Sequence, residues 1–316
     1  MSALARMWTG DGHGVQAMSA HLRFCSREGC GCFFKVEPSL APRRFSMTAS
    51  RVRLHIEDTG GTGRPVVLIH GWPLSAESWR AQVPVLKAAG YRVVAYDRRG
   101  FGRSDKPADG YEYDTLADDL AGVLEQLDLR DVTLVGFSMG GGEVARYIAR
   151  HGEQRLRSVV FAAAVPPYML KTADNPDGPL TEEKAEQMRM GLENHRDEFF
   201  EGFTKDFFSA KGELKVSERQ REEAVALCKQ SDQTAALGCM KAFGTTDFRE
   251  DLKKVTVPTL VLHGDSDGTV PYEGSGRRTH EAIPGSEVVL IQDAPHGCNA
   301  SHAEQFNAAL VAFLAR

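Results

Sequence analysis

Ser138 stands in Gly136-Phe-Ser-Met-Gly140, after the apolar run 132–136 and before Gly141, Gly142 and the helical pattern Glu143-Val-Ala-Arg-Tyr-Ile-Ala-Arg150. A serine on a tight strand-to-helix turn is held out as a nucleophile. The turn forces it into a strained backbone conformation, and the residues two away must lack bulk for the chain to close. Gly136 and Gly140 meet that need, while Gly141 and Gly142 let the helix approach the sheet. The helix N-terminus behind the hydroxyl favours negative charge. The chemistry this predicts is acyl transfer, with Ser138 as nucleophile.

A serine hydroxyl attacks only when a base takes its proton. In a chain of this pattern the base follows a late strand, and an orienting carboxylate comes between it and the serine. His296, in Asp293-Ala-Pro-His-Gly297, is the one histidine of ten that combines a loop after the last apolar run with a flanking glycine. His70 and His263 end earlier strands before a glycine and are expected to serve turn geometry. His151, His195, His280 and His302 fall on helices or helix ends and are expected to be solvated. The carboxylate comes from His263-Gly-Asp-Ser-Asp267, where Asp265 and Asp267 compete. Asp265 is placed to cap the turn; Asp267, further into the loop, is preferred because it can reach the imidazole. Its role is to fix the His296 tautomer and stabilise the imidazolium. The oxyanion needs two backbone N–H donors, and those of Met139 and Trp72, in His70-Gly-Trp-Pro-Leu-Ser75, are placed for it.

These residues need a scaffold that brings loops together at one end of a sheet. Strands are expected at 51–57, 66–70, 93–96, 132–136, 158–163, 259–263 and 288–291, with helices at 76–89, 115–127, 140–150, 274–283 and 301–315. Short β-branched runs alternating with helices predict an α/β fold with a mostly parallel sheet covered on both faces. Residues 166–250 break the rhythm with Pro166-Pro167, a turn run over 174–179 and helical segments, and read as an inserted helical cap between core parts 47–165 and 251–316. Within it Phe199, Phe200, Phe203 and Phe207 share one helix face, with Phe208 outside. The stripe is expected to pack the cap on the body, and an apolar pocket lining is compatible with that.

Composition bounds the partners. With 316 residues, 42% hydrophobic, 26% charged and net −5, the chain reads as a soluble globular enzyme without a nucleic-acid footprint. No apolar run is long enough to span a membrane. Six cysteines are too few for a disulfide framework and suit the cytoplasm. Cys228 and Cys239 are expected to be buried fillers in cap helices. The charges Asp97, Arg98, Arg99 and Asp105 are expected to tie loops together and are left out of the site.

Residues 1–46 differ, with six basic residues against three acidic ones and repeated glycines. They read as an unstructured, dispensable extension, and Met47 as the working start. Cys25, Cys30, Cys32 and His21 lack the spacing of a structural zinc site, so no metal is expected there.

The motifs His70-Gly-Trp-Pro-Leu-Ser75, Tyr96-Asp-Arg-Arg-Gly-Phe-Gly-Arg-Ser104, Gly136-Phe-Ser-Met-Gly-Gly-Gly-Glu-Val-Ala-Arg146 and Ala294-Pro-His-Gly297 resemble those of the cofactor-free bacterial haloperoxidases. The likeness runs through Leu170-Lys-Thr-Ala-Asp-Asn-Pro-Asp-Gly178 and Thr246-Asp-Phe-Arg-Glu250, so it covers about 50–316. It implies the α/β-hydrolase fold, with arylesterase and perhydrolase activity. It matches the family's catalytic residues to Ser138, Asp267 and His296, which selects Asp267 over Asp265. It implies no haem, vanadium or other metal cofactor. A carboxylic acid or ester acylates Ser138, and water or hydrogen peroxide releases acid or peracid. In relatives, a proline after the oxyanion-loop aromatic accompanies perhydrolysis, and Pro73 fits. Cys298 stands where relatives carry a larger apolar residue, and is expected to widen the pocket or leave an oxidisable thiol nearby.

Other readings of the fold divide by their nucleophile. Epoxide hydrolases and haloalkane dehalogenases need a carboxylate where Ser138 stands. A carbon–carbon bond hydrolase on the same triad is the alternative enzyme, and a non-catalytic ligand-binding protein is the alternative class. The partners expected are a small ester or carboxylic acid with water or peroxide, and a homo-oligomer is compatible with the sequence.

Overall fold

A computed structural model describes residues 52–316; the extension 1–46 and its cysteine cluster lie outside the described residues. In chain order the elements are β1 (Ile56–Asp58), β2 (Pro65–Ile69), α1 (Val83–Ala88), β3 (Arg92–Tyr96), α2 (Tyr113–Gln126), β4 (Val132–Phe137), α3 (Met139–His151) and β5 (Leu156–Ala162). Then come α4 (Glu182–Asn194), α5 (Arg196–Phe207), β6 (Ser209–Ala210), β7 (Glu213–Leu214), α6 (Glu218–Lys229), α7 (Gln233–Thr245) and α8 (Arg249–Leu252). The chain ends with β8 (Thr259–Gly264), α9 (Gly276–Ala282), β9 (Glu287–Ile291), α10 (Cys298–Ser301) and α11 (Ala303–Leu314).

Seven strands form one sheet in the order β1-β3-β2-β4-β5-β8-β9. Every pairing is parallel except the edge pair β1–β3. The inner strands are continuous apolar runs, as a sheet covered on both faces requires, and β4 and β8 are buried along their whole length. Because their pairings are parallel, the C-terminal ends of β2, β4, β8 and β9 lie at one end of the sheet, where His70, Ser138, Asp267 and His296 follow in the loops.

The boundaries depart from the sequence expectations for local reasons. Of the first expected strand, 51–57, only Ile56 and Glu57 pair with β3, in a strand that runs on to Asp58. The helix expected over 76–89 is split into a 3₁₀ turn at Ala76–Trp79 and α1, because Pro84 has no N–H to continue the ladder. The last helix breaks at His302, whose φ of −124° and ψ of 44° are not helical. Besides helices, residues 166–250 hold β6 and β7, a hairpin turned by Lys211 and Gly212, both at positive φ.

Candidate active site

Ser138 joins β4 to α3 at φ 55° and ψ −119°, a conformation that persists only when its surroundings force it. The glycines around it show how. A Cβ on Gly136 would lie 2.5 Å from the Gly140 carbonyl oxygen, one on Gly140 2.6 Å from Ile69 O, and one on Gly141 2.4 Å from Ala164 Cβ. The turn therefore closes against β2 on one side and the loop after β5 on the other, leaving no room for any side chain but hydrogen.

His296 follows β9 in a loop that returns to the serine. Its Nε2 lies 2.9 Å from Ser138 Oγ, and its Nδ1 lies 2.7 Å from Asp267 Oδ2. Asp267 Oδ1 accepts the amides of Thr269 at 2.9 Å and Val270 at 2.7 Å, so the carboxylate is pinned by its own loop. All three side chains are buried. Burial pushes the Asp267 carboxyl up, but the facing His296 and His263 outweigh it and hold Asp267 well below the usual carboxylate range. An ionised Asp267 requires His296 Nδ1 to carry a proton and leaves Nε2 free to accept one from Ser138. Asp265 is elsewhere: its Oδ1 accepts the Asp293 amide at 2.7 Å, tying the β8 loop to the β9 loop.

Met139 is the first residue of α3, so its amide has no partner within the helix. Trp72 lies in the loop after β2, and among the described residues no acceptor engages its backbone N–H. The loop is held from behind. His70 Nε2 accepts the Arg98 amide at 2.9 Å and its Nδ1 lies 2.8 Å from Gly71 O, while Arg98 Nη2 donates to His70 O at 2.7 Å. Arg98 also pairs with Glu143 of α3, which accepts the Tyr96 hydroxyl at 2.8 Å. Burial, then the Arg98 charge, lowers the His70 pKa to about 3, so the ring is a neutral strut. The charges after β3 thus tie loops: Arg99 pairs with Asp119, and Asp97 accepts the Ala76 and Arg103 amides.

A cavity of about 50 Å³ opens on Ser138 and His296, walled by residues that include Trp72, Met169, Leu180, Met188, Phe203 and Phe243. Leu180, Met188 and Phe243 also line a cleft of about 770 Å³ between α4 and α7. The phenylalanine stripe serves both expected ends. Phe199, Phe200 and Phe203 meet the Trp72 ring edge-on, and Phe207 packs on Phe137 and His296. Phe208, outside the stripe, is buried against Phe207 with ring centroids 4.8 Å apart. The indole Nε1 donates to Ala236 O at 3.0 Å, which joins the loop after β2 to α7.

Two expectations need correction. Cys298 does not reach the cavity: it is fully buried at the start of α10, and burial pushes its thiol pKa up, away from the reactive thiolate. His263 does more than shape a turn. Its Nε2 lies 2.8 Å from Val270 O and 3.3 Å from Asp267 Oδ2, behind the carboxylate. The available signal was an imidazole closing the apolar run Thr259-Leu-Val-Leu-His263, a buried polar group that needs a partner. Cys228 and Cys239 are buried as expected. Among the described residues, no group of three or more His, Cys, Asp or Glu side chains is gathered to hold a metal, and no helix is long and apolar enough to cross a membrane.

Residues 64–302 match the alpha/beta hydrolase fold family. The chain is 45% identical over 257 residues to a non-heme chloroperoxidase of Kitasatospora aureofaciens, covering 80% of this chain and 93% of that one. It is 38% identical over 270 residues to a bifunctional esterase/perhydrolase of Acinetobacter calcoaceticus, covering 84% and 98% respectively. The crystal structure of a bromoperoxidase from Bacillus anthracis matches with a TM-score of 0.82 at 55% identity, over 84% of this chain and 96% of that one.

Proposed function

The chain belongs to the alpha/beta hydrolase family, among its non-heme haloperoxidases, and from that premise we propose that it is a serine esterase that also makes peracids. Ser138 is the nucleophile, His296 the general base and Asp267 its orienting carboxylate. The observation that carries the reading is the line of short contacts from Asp267 Oδ2 through His296 to Ser138 Oγ.

His296 takes the Ser138 proton as Oγ attacks the acyl carbon of a small ester or carboxylic acid. The amides of Trp72 and Met139 receive the oxyanion, and losing one such donor costs about a hundred- to a thousandfold in rate. The protonated His296 then gives its proton to the leaving alkoxide or hydroxide, and an acyl-enzyme remains. Water, deprotonated by His296, releases the carboxylic acid; hydrogen peroxide in its place releases the peracid. Halide oxidation then follows from the peracid in solution and needs no halide site. The segment between β5 and β8 acts as the cap over this chemistry. The free thiols Cys228, Cys239 and Cys298 suit a cytoplasmic protein.

The test is the initial rate of 4-nitrophenyl acetate hydrolysis by the protein and by Ser138→Ala. A fast rate that falls by about a thousandfold or more in the variant supports acyl-enzyme chemistry at Ser138. A rate that survives the substitution refutes the nucleophile, and a negligible parent rate refutes the esterase reading.

A further inference from the structure

Two thioethers stand in the wall of the proposed reaction chamber. Met169, in the loop after β5, is buried, and Met188 of α4 is half-buried; both line the cavity of about 50 Å³ that Ser138 and His296 share. Met188 also lines the adjoining cleft, so it stands where the small cavity meets the route outward. The other described methionines differ in position. Met139 follows the nucleophile in sequence, yet its side chain is fully buried and lines neither space. Met240 lines the cleft alone. Met190, on α4 two residues from Met188, is 50% exposed to solvent.

Resting on the perhydrolase reading, we propose that Met169 and Met188 are modification sites at which peracid formed on Ser138 is trapped as methionine sulfoxide, so that peroxide turnover carries its own brake. The peracid is the electrophile and the thioether sulfur the nucleophile. The terminal peroxidic oxygen passes to sulfur, the O–O bond breaks, the peracid proton ends on the departing carboxylate, and the products are sulfoxide and carboxylic acid. Sulfur loses two electrons and the peroxidic oxygen gains them, and the oxidant is the product of the reaction itself. A peracid released beside these sulfurs meets them at a local concentration that bulk solution never reaches. The sulfoxide places a strong acceptor dipole in a mostly apolar wall. Where no donor faces it, binding of an apolar acyl group weakens. Sulfoxide reductases restore the thioether, so the brake is reversible.

The experiment incubates the whole protein with acetate and hydrogen peroxide, follows peracid in the same tube, and maps oxygen addition by peptide mass spectrometry over time. Ser138→Ala with added peracetic acid, matched to the peracid measured, reports oxidation from bulk solution. The expected result is oxidation of Met169 and Met188 ahead of Met190 in the parent, dependent on acetate, and Met190 first in the variant. Peracid accumulation with Met190 oxidised first in the parent, or with Met169 and Met188 intact, overturns the proposal. If no peracid forms while 4-nitrophenyl acetate is still cleaved, the perhydrolase reading fails and the proposal with it. A second readout is the decay of each enzyme's own initial activity during turnover. Met169→Leu/Met188→Leu should decay severalfold more slowly than the parent and Met190→Leu at the parent's rate; equal decay in all three refutes the brake.

Discussion

His263 Nε2 lies 3.3 Å from Asp267 Oδ2, the same oxygen that His296 Nδ1 approaches at 2.7 Å. Asp267 is thus held between two imidazoles, one facing the serine and one behind. With Val270 O only 2.8 Å from the same Nε2, that nitrogen faces two acceptors and shares one hydrogen between the carbonyl and the carboxylate. That donation draws charge away from the edge of Asp267 that faces His296.

Removing the donor should therefore leave Asp267 more strongly attractive to a proton on His296. An imidazolium favoured in this way is a base lost at higher pH, so the acid limb of kcat/KM in His263→Leu should move up. The other titratable groups packed here, Tyr272 and Cys298, both have pKa values raised by burial and stay neutral across that range. His263→Gln, which keeps an N–H donor, should restore part of the shift. A pH profile that does not move in His263→Leu would reduce His263 to a packing residue.

The sequence made some of this legible and not the rest, for physical reasons. Ser138 could be found because a strained turn has a local signature, with glycine required at 136 and 140 by contacts of 2.5–2.6 Å. His296 and the pair Asp265 and Asp267 could be found because each follows a strand that must end at the same end of the sheet, and the family resemblance selected Asp267 of the two. His263 showed only that a buried imidazole needs a partner, since a histidine closing a strand before glycine looks alike whether it braces a turn or a carboxylate. Its partner is set by how the loop after β8 folds back. Cys298 was misread because the loop after His296 turns directly into α10 and carries the thiol inward. The break before Pro84 was readable from the proline alone, whereas the break at His302 has no comparable signal.

Pro73 follows the proposed oxyanion donor Trp72 in a buried loop. Proline fixes φ and removes an amide N–H, and under the proposed perhydrolase reading it would turn the Trp72 carbonyl toward the site to accept a hydrogen bond from peroxide. Pro73→Leu should raise the ratio of 4-nitrophenyl acetate hydrolysis to peracid formation, by lowering perhydrolysis more than esterase turnover. An unchanged ratio would remove Pro73 from the peroxide step.

Phe243 belongs to both the small cavity and the larger cleft, so its ring closes part of the boundary between them. A space of about 50 Å³ beside Ser138 suits a short acyl group. Phe243→Ala should shift preference among 4-nitrophenyl esters from acetate toward butyrate and hexanoate, with the change seen mainly in KM. Because the ring also packs on Trp72, loss of stability is expected alongside, by about 3 kcal/mol. The same ester ranking in both proteins would place the acyl chain elsewhere.

A Cβ at Gly141 would lie 2.4 Å from Ala164 Cβ, between the first turn of α3 and the loop after β5. Neither side is a flexible side-chain end, so Gly141→Ala must move backbone, and overpacking of this kind costs about 1–3 kcal/mol. The displaced turn carries Ser138, so esterase kcat should fall together with thermal stability. Ala164→Gly, made in the same chain, removes the opposing methyl and should recover much of both. Failure of that rescue would mean that the close approach is not what fixes the turn.

His70 supplies a pH signature for the loop after β2. Burial and Arg98 depress its pKa from 6.5 to about 3, so between those values the unfolded chain binds a proton that the folded one excludes. Stability then rises with pH across that window, at most by about 1.4 kcal/mol per pH unit for one proton. Above about pH 6.5 both states hold a neutral ring and the contribution is flat. His70→Asn should be less stable at pH 8, where the strut between Arg98 and Gly71 is weakened, yet lose less stability than the parent on going from pH 6.5 to pH 4. Midpoints of urea unfolding at those pH values measure this; parallel curves for the two proteins would show that His70 is protonated in the folded state after all.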